Sequence, residues 1–271
     1  LLGNLNDFTE DKIADYKDMT DIDKYALSLL YKLQKRAEVF YESYEFHKAF
    51  REIHNFAVID MSNRYLAILK DRLYIYAPDS AERLSAQSAL YHILKGLMMM
   101  LAPVLPFTTE EVFLRYFAET ADSKTESVHL QDWPQAFESW NNEALHAEFS
   151  LMMDARDTVM KSLEMLRNEG TIGDSLGAKV RVQAKNKDLA KILEEYEAQL
   201  RYYYIVSQVE IVDKIDKPTN EDENIAVEAV PADGEKCERC WNYSTQVGED
   251  SEHPTLCERC APIVKKLNIK E

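Results

Sequence analysis

Residues 20–44 read TDIDKYALSLLYKLQKRAEVFYESY, and the spacing of the apolar positions predicts an α-helix. Ile22, Tyr25, Ala26, Leu29, Leu30, Leu33, Ala37, Phe40, Tyr41 and Tyr44 recur three or four apart, which gathers them on one helical face. Thr20 or Asp21 can cap the first turn, because a short side-chain oxygen accepts from an otherwise unpaired backbone N–H. A second stretch of the same period runs through Phe46, Ala49, Phe50, Ile53, Phe56 and Ala57 to Tyr65, Leu66, Leu69 and Leu73. It stops at Ala77-Pro78, since the residue before a proline is pushed out of helical backbone. A third begins after Asp79 or Ser80 and ends near Leu101, ahead of Pro103 and Pro106. Thr108 and Glu111 then suggest a capping box opening a short helix to about Ala118. Long helices joined by short turns make an antiparallel bundle.

Beyond the bundle the pattern changes twice. Residues 123–134 form a polar connector with an extended piece expected at Val128-His129-Leu130. A long helix follows, with Leu145, Phe149, Met152, Met153, Val159, Leu163 and Leu166 on its apolar face and Gly170 closing it. Ala178–Ala184 alternates like a strand, Leu189–Leu200 reads as helix, and Tyr202–Val212 is rich in aromatic and β-branched residues, together a β-α-β unit. Lys217–Asn224 is expected as an acidic exposed loop, and Ile225–Val230 as a further strand. The fold class is therefore mainly α: an antiparallel helical bundle, then a small α+β unit, then a C-terminal four-cysteine module. The expected segments are 1–135, 136–170, 171–232 and 233–271.

The scarcity of glycine, 7 in 271 residues, agrees with a helical chain. The chain shows no signal-peptide pattern at its start and no apolar run of membrane-spanning length, so a cytoplasmic, membrane-free monomer is the expectation. The formal charge of −16 argues at first against a nucleic-acid partner. Its placement is uneven, however. Asp7–Asp23 and Glu210–Glu228 each hold seven acids and two lysines, whereas Lys32–Arg72 holds eight bases against six acids. Since salt screens charge over roughly 8 Å, local balance matters more than the total.

The last module carries the strongest chemical signal. Cys237-Glu238-Arg239-Cys240 and Cys257-Glu258-Arg259-Cys260 are two identical turns sixteen residues apart. Two residues between ligands let both sulfurs of a turn face one point, and two such turns offer four thiolates in a tetrahedron, the arrangement zinc takes. Disulfides are disfavoured in a cytosolic chain, and an iron–sulfur centre is the other metal reading. Four cysteines leave no open coordination position, so the zinc is structural. Arg239 and Arg259 are expected to be exposed on these turns. Trp241 is open to two readings, packing over the zinc turns or stacking on a base. No glycine-rich phosphate loop, nucleophile elbow or His-Glu-x-x-His pair occurs. His47 and His54, two helical turns apart, read as a half-buried stripe and not as a ligand pair.

Several runs together resemble the C-terminal part of bacterial isoleucyl-tRNA synthetases, class I enzymes. They are Leu1-Leu2-Gly3-Asn4-Leu5; Asp60-Met61-Ser62-Asn63-Arg64-Tyr65 with Lys70-Asp71-Arg72-Leu73-Tyr74; Leu101-Ala102-Pro103-Val104-Leu105-Pro106-Phe107-Thr108-Thr109-Glu110-Glu111; and Ser127-Val128-His129-Leu130 with Asp132-Trp133-Pro134. The bundle motifs are similar to those of valyl and leucyl enzymes as well, and the terminal cysteine module points to the isoleucine family. A related knuckle occurs in base-excision DNA glycosylases, whose N-terminal catalytic proline has no counterpart here. The sequence departs from the family pattern at Val112-Phe113 and at Arg64, where tryptophan is common.

The resemblance implies an anticodon-binding bundle and a zinc-binding module holding the anticodon arm of an isoleucine tRNA. The catalytic and editing domains, with their ATP and Mg2+, are expected elsewhere in the same polypeptide, because neither ATP-binding signature of the family is present. The chain alone is then expected to be inactive. On this reading Arg64, Lys70 and Arg72 border a groove on the bundle, Arg239 and Trp241 touch the anticodon loop, and Lys179 and Arg181 reach phosphate from one face of a strand. A zinc-knuckle protein-interaction module is the competing reading, and it suits the acidic charge.

Overall fold

The computed structural model describes residues 1–117 and 127–267; the expected end of the short helix near Ala118, and the connector up to residue 126, lie outside these. Contacts group the described residues into two compact units, 1–73 with 78–146 and 74–77 with 147–271. The grouping differs from the four segments drawn from the sequence, most plainly in dividing the long helix at His146.

In the first unit, three short 3-10 turns (Leu2–Leu5, Glu10–Lys12, Tyr16–Asp18) precede α1 (Asp21–Glu42), α2 (Phe46–Asn55), a wide π-type segment (Phe56–Tyr65), α3 (Leu66–Ile75), α4 (Ala81–Leu101) and α5 (Pro106–Val112). The backbone N–H of Leu66 reaches back five residues to the Met61 carbonyl, the mark of the wider turn. The start of α1 meets both the end of α3, through Asp23 and Arg72, and the start of α4, through Thr20 and Ser85. Tyr41 near the end of α1 donates to the Met100 carbonyl near the end of α4. Successive helical arms therefore alternate in direction, and α1 runs alongside α4. Leu27, Leu30, Leu33, Ile53, Leu69, Leu90 and Ile93 form the fully buried centre.

Two local expectations fail at the end of this unit. The helix opens at Pro106 and not at a Thr108–Glu111 capping box, because proline at the first position needs no donor of its own. Val128–Leu130 is a 3-10 turn instead of an extended piece: Ser127 Oγ accepts from His129 N, and Glu110 accepts from Ser127 Oγ and Val128 N.

In the second unit, α6 (Glu143–Asn168, whose first turn belongs to the first unit) ends at Gly170, where φ is +72° and Thr171 N bonds the Leu166 carbonyl. Next come β1 (Ala178–Ala184), α7 (Lys187–Glu195), α8 (Glu197–Tyr204) and β2 (Gln208–Ile211), with β2 parallel to β1. Tyr202–Tyr204 thus extend the helix and do not begin the strand. Tyr203 and Tyr204 are buried, and Tyr203 offers its carbonyl to the buried Arg156 of α6. Burial against a neighbouring helix here outweighs β propensity. Within the expected acidic loop, Asn220–Glu221 forms a short β3 pairing with β4 (Ile225–Pro231), giving sheet order β2-β1-β4-β3. A second small sheet pairs β5 (Glu235–Lys236) with β6 (Tyr243–Ser244), and α9 (Cys260–Leu267) closes the described chain. At Gly234, just before β5, a Cβ would stand 2.3 Å from the Ser244 carbonyl, so the close approach of the chain at the end of β6 excludes any side chain there.

Candidate functional site

The two Cys-x-x-Cys turns converge. All four sulfurs lie within 4.8 Å of one another, all four cysteines are buried, and none is in a disulfide. Cys240 Sγ and Cys257 Sγ are 3.7 Å apart. Sulfurs at ~2.3 Å from a tetrahedral zinc stand roughly 3.8 Å from each other, so the cradle has the size of a zinc centre. Bonds from Cys240, Cys257 and Cys260 hold the Cys237 thiol well below its ordinary range; Cys240 is raised by Cys237 but lowered by Cys257 and Cys260, to about 5 in net; Cys257 and Cys260 are pushed up, chiefly by Cys237 and Cys240. Four thiolates crowded this closely repel one another, and only a cation at their centre lets all four ionise together. Cys237, Cys240, Cys257 and Cys260 are the ligand set of one structural zinc.

The turns are braced by their own backbone. Trp241 N bonds the Cys237 carbonyl and Cys260 N the Cys257 carbonyl, and Cys257 N points at Cys237 Sγ at 3.3 Å. Leu256, Ala261, Val264 and Ile75 close an apolar shell around the sulfurs. Tyr243 N donates to Ser207 Oγ at 2.7 Å, linking the module to the main sheet.

Arg239 and Arg259 depart from the exposed placement expected of them. Arg239 Nη2 donates to the Ile75 carbonyl at 2.7 Å, and Nη1 lies 3.7 Å from Cys260 Sγ. A guanidinium this near a ligand sulfur favours the thiolate and orients it. Arg259 sits over the Tyr202 and Tyr76 rings, 5.6 and 5.9 Å from their centroids. Arg239 is thus engaged inside its own unit. Trp241 projects. It is 60% exposed, and Lys236 Nζ stands 5.3 Å from its ring centre. The exposure suits the stacking reading of this ring better than packing over the zinc turns, and the lysine beside it was not foreseen.

Lys179 and Arg181 share one strand face, as alternation requires, yet that face is already neutralised. Arg181 stands opposite Glu210 on β2 and opposite Glu228 on β4, with Arg181 Nη1 2.8 Å from Glu228. Lys179 pairs with Asp233 at 3.1 Å and with Glu210 at 3.5 Å. Three carboxylates against two cations leave no excess positive charge for phosphate.

On the first unit the three residues expected to border a groove are placed differently from one another. Arg64 lies within the wide Phe56–Tyr65 segment, whose turn departs from the 100° phase on which that geometry rests, whereas Lys70 and Arg72 lie on α3 beyond it. Arg72 turns into the interior, where both guanidinium nitrogens meet the fully buried Asp23 carboxylate at 2.6 and 2.9 Å. Tyr65, Ser85 and Thr20 hydroxyls donate to the same carboxylate at 2.6, 2.5 and 2.7 Å. Burial pushes the Asp23 carboxyl up, but Arg72 and these donors prevail and the net displacement is downward. Lys70 is exposed, and Arg64 is half-buried near Asp60.

A family model described as the anticodon-binding domain of tRNA ligase matches residues 23–182, and one described as the zinc finger found in FPG and IleRS matches residues 234–263. The isoleucine–tRNA ligase of Fervidobacterium nodosum is 40% identical over 98% of this chain and 28% of its own length. That of Syntrophotalea carbinolica is 43% identical over 97% of this chain and 28% of its own length; that of Gloeobacter violaceus is 41% identical over 96% and 26%. The chain spans little more than a quarter of the length of the curated relatives it matches. With a bundle matched over more than half the residues and a four-cysteine cradle behind it, the chain belongs to the family of anticodon-binding domains of tRNA ligases.

Proposed function

We propose that this chain is the anticodon-arm-binding region of an isoleucine–tRNA ligase, with isoleucine tRNA as its partner and the ATP- and Mg2+-using catalytic domain elsewhere in the same polypeptide. The joint presence of the two family matches supports the isoleucine assignment, because the knuckle is absent from the competing valine and leucine readings. The observation that carries the RNA role is Trp241. A zinc-braced turn presents an indole that is 60% exposed, with a lysine cation beside its face. An unstacked loop base would stack on that ring while Lys236 reaches its phosphate. Lys70 and Arg64 are the proposed phosphate contacts on the bundle. Lys179, Arg181, Arg72 and Arg239 act inside the protein, the last by positioning the zinc turn.

The test is titration of the zinc-loaded chain with isoleucine tRNA and with the same tRNA carrying an altered anticodon. Selective binding that weakens about tenfold or more in Trp241→Ala supports the reading, since one base–aromatic stack contributes ~1–3 kcal/mol. Equal affinity for both RNAs, falling steeply with salt, would reduce the interaction to phosphate attraction. A folded, zinc-loaded chain that binds neither RNA would favour the protein-interaction reading, which the −16 charge suits.

A further inference from the structure

The first unit contains a cavity of about 470 Å3 that the proposed function does not use. Its wall is rich in flat rings: Trp133, Phe137, Trp140 and His92 line it. Trp140 lies 4.7 Å from Phe137 and 5.1 Å from His92, centre to centre. Burial and the Lys95 cation bring the His92 imidazole down to about 4, so it presents a neutral ring near pH 7.

Two amide side chains give the cavity its polarity. Gln34, 2% exposed on α1, has its Oε1 buried without a hydrogen-bond partner among the described residues. Gln131 Nε2, two residues before Trp133, is likewise buried and unpartnered among them. A buried amide atom left without a partner loses its hydration with nothing in return. Both residues line the cavity, so a ligand entering it can satisfy an acceptor and a donor at once. Gly96 makes room for this: a Cβ there would stand 3.0 Å from Gln34 Nε2.

We propose that this cavity is a binding site for an adenine ring, supplied either as free adenosine or as a base of single-stranded RNA. Its aromatic walls suit a flat heterocycle, and the open acceptor of Gln34 with the open donor of Gln131 matches the donor and acceptor that the adenine edge carries. Among the described residues Glu10 and Asp132 line it together with Lys95 alone as a cation, which disfavours a phosphate inside. The ring enters, and any phosphate stays out.

The experiment is fluorescence titration of the full chain carrying Trp241→Phe, which confines emission to Trp133 and Trp140 of the three tryptophans. The probes are adenosine, uridine, and hexanucleotides of adenylate and uridylate. Saturable quenching by adenosine but not uridine, at least tenfold weaker in Gln34→Leu or in the less buried Gln131→Leu, supports the site with free nucleoside as occupant. Quenching by the adenylate hexamer alone, with the same loss in either variant, supports it with RNA as the source. Circular dichroism establishes which variant has kept its helices. Absence of quenching by any probe, equal quenching by uridine, or unchanged affinity in a folded variant overturns the proposal. Adenosine carries no anticodon, so neither outcome depends on the tRNA test.

Discussion

Arg72 Nη2 lies 2.6 Å from Asp23 Oδ1, and the carboxylate they share is wholly sealed from solvent. The two residues are 49 positions apart, so the pair ties the first turn of α1 to the last turn of α3. Truncating one partner of such a pair strands the other charge. Arg72→Met is expected to destabilise the chain by about 3–5 kcal/mol, read from the midpoint of urea unfolding of the bundle. The double variant Asp23→Asn/Arg72→Met should recover part of that loss. A single variant as stable as the parent would show that the pair is solvated in solution. Arg72→Lys should also destabilise, because an ammonium cannot make the bidentate contact.

The half-buried His92 gives the stability a pH dependence whose sign follows from its environment. Its folded-state pKa is about 4, against an ordinary 6.5, with burial the largest cause and Lys95 the next. Between those values the unfolded chain binds a proton that the folded chain refuses. Stability should therefore fall as pH drops from 6.5 to about 4 and gain no further slope from this group below that. The whole effect is at most ~3 kcal/mol. His92→Phe should flatten that part of the curve. Identical slopes in parent and variant would mean that the ring is protonated in the fold.

Metal content offers a third check. The purified chain should carry one zinc per molecule, and Cys257→Ser or Cys260→Ser should lose it. Since the cysteines form a buried cluster with Leu256, Ala261 and Val264, chelation should also expose that cluster, seen as faster amide exchange across residues 235–264. Unchanged exchange after complete zinc removal would mean that the apolar contacts suffice by themselves.

Charge compensation on the main sheet predicts a contrast between two sets of cations. Lys179→Ala and Arg181→Ala should leave tRNA affinity within about twofold, because Asp233, Glu210 and Glu228 already neutralise them. Lys70→Ala should lower it and reduce the steepness of its salt dependence by about one unit. A binding loss concentrated in Lys179 would place RNA on the β1 face after all.

The long helices were legible from apolar spacing: α1 begins and ends within two residues of its predicted limits, and of the two starts offered for α4, Asp79 and Ser80, it is Ser80 that caps the helix. The cysteine pairs announced their cradle because a two-residue spacing has few other uses. Long-range partnerships left no such trace. Nothing around Asp23 distinguishes it from the six other acids between Asp7 and Asp23, yet it alone among them is fully buried beneath a guanidinium. Lys179 and Arg181 looked available because cross-strand neighbours are set by register, and register places Glu210 and Glu228 opposite Arg181 only once the strands have paired. The wide turn at Phe56–Tyr65 was hidden for a related reason, since its apolar residues tolerate either period.

Trp241 occupies left-handed backbone, with φ at +64°. For an L-residue that conformation costs roughly 1–2 kcal/mol which glycine would not incur. Replacing the tryptophan by glycine should thus relax the knuckle while deleting its outward ring, so rigidity and reach carry opposite signs at one position. Random variants sorted by heat resistance alone would drift toward glycine there. Variants sorted by capture of RNA would hold the tryptophan in place against its own backbone.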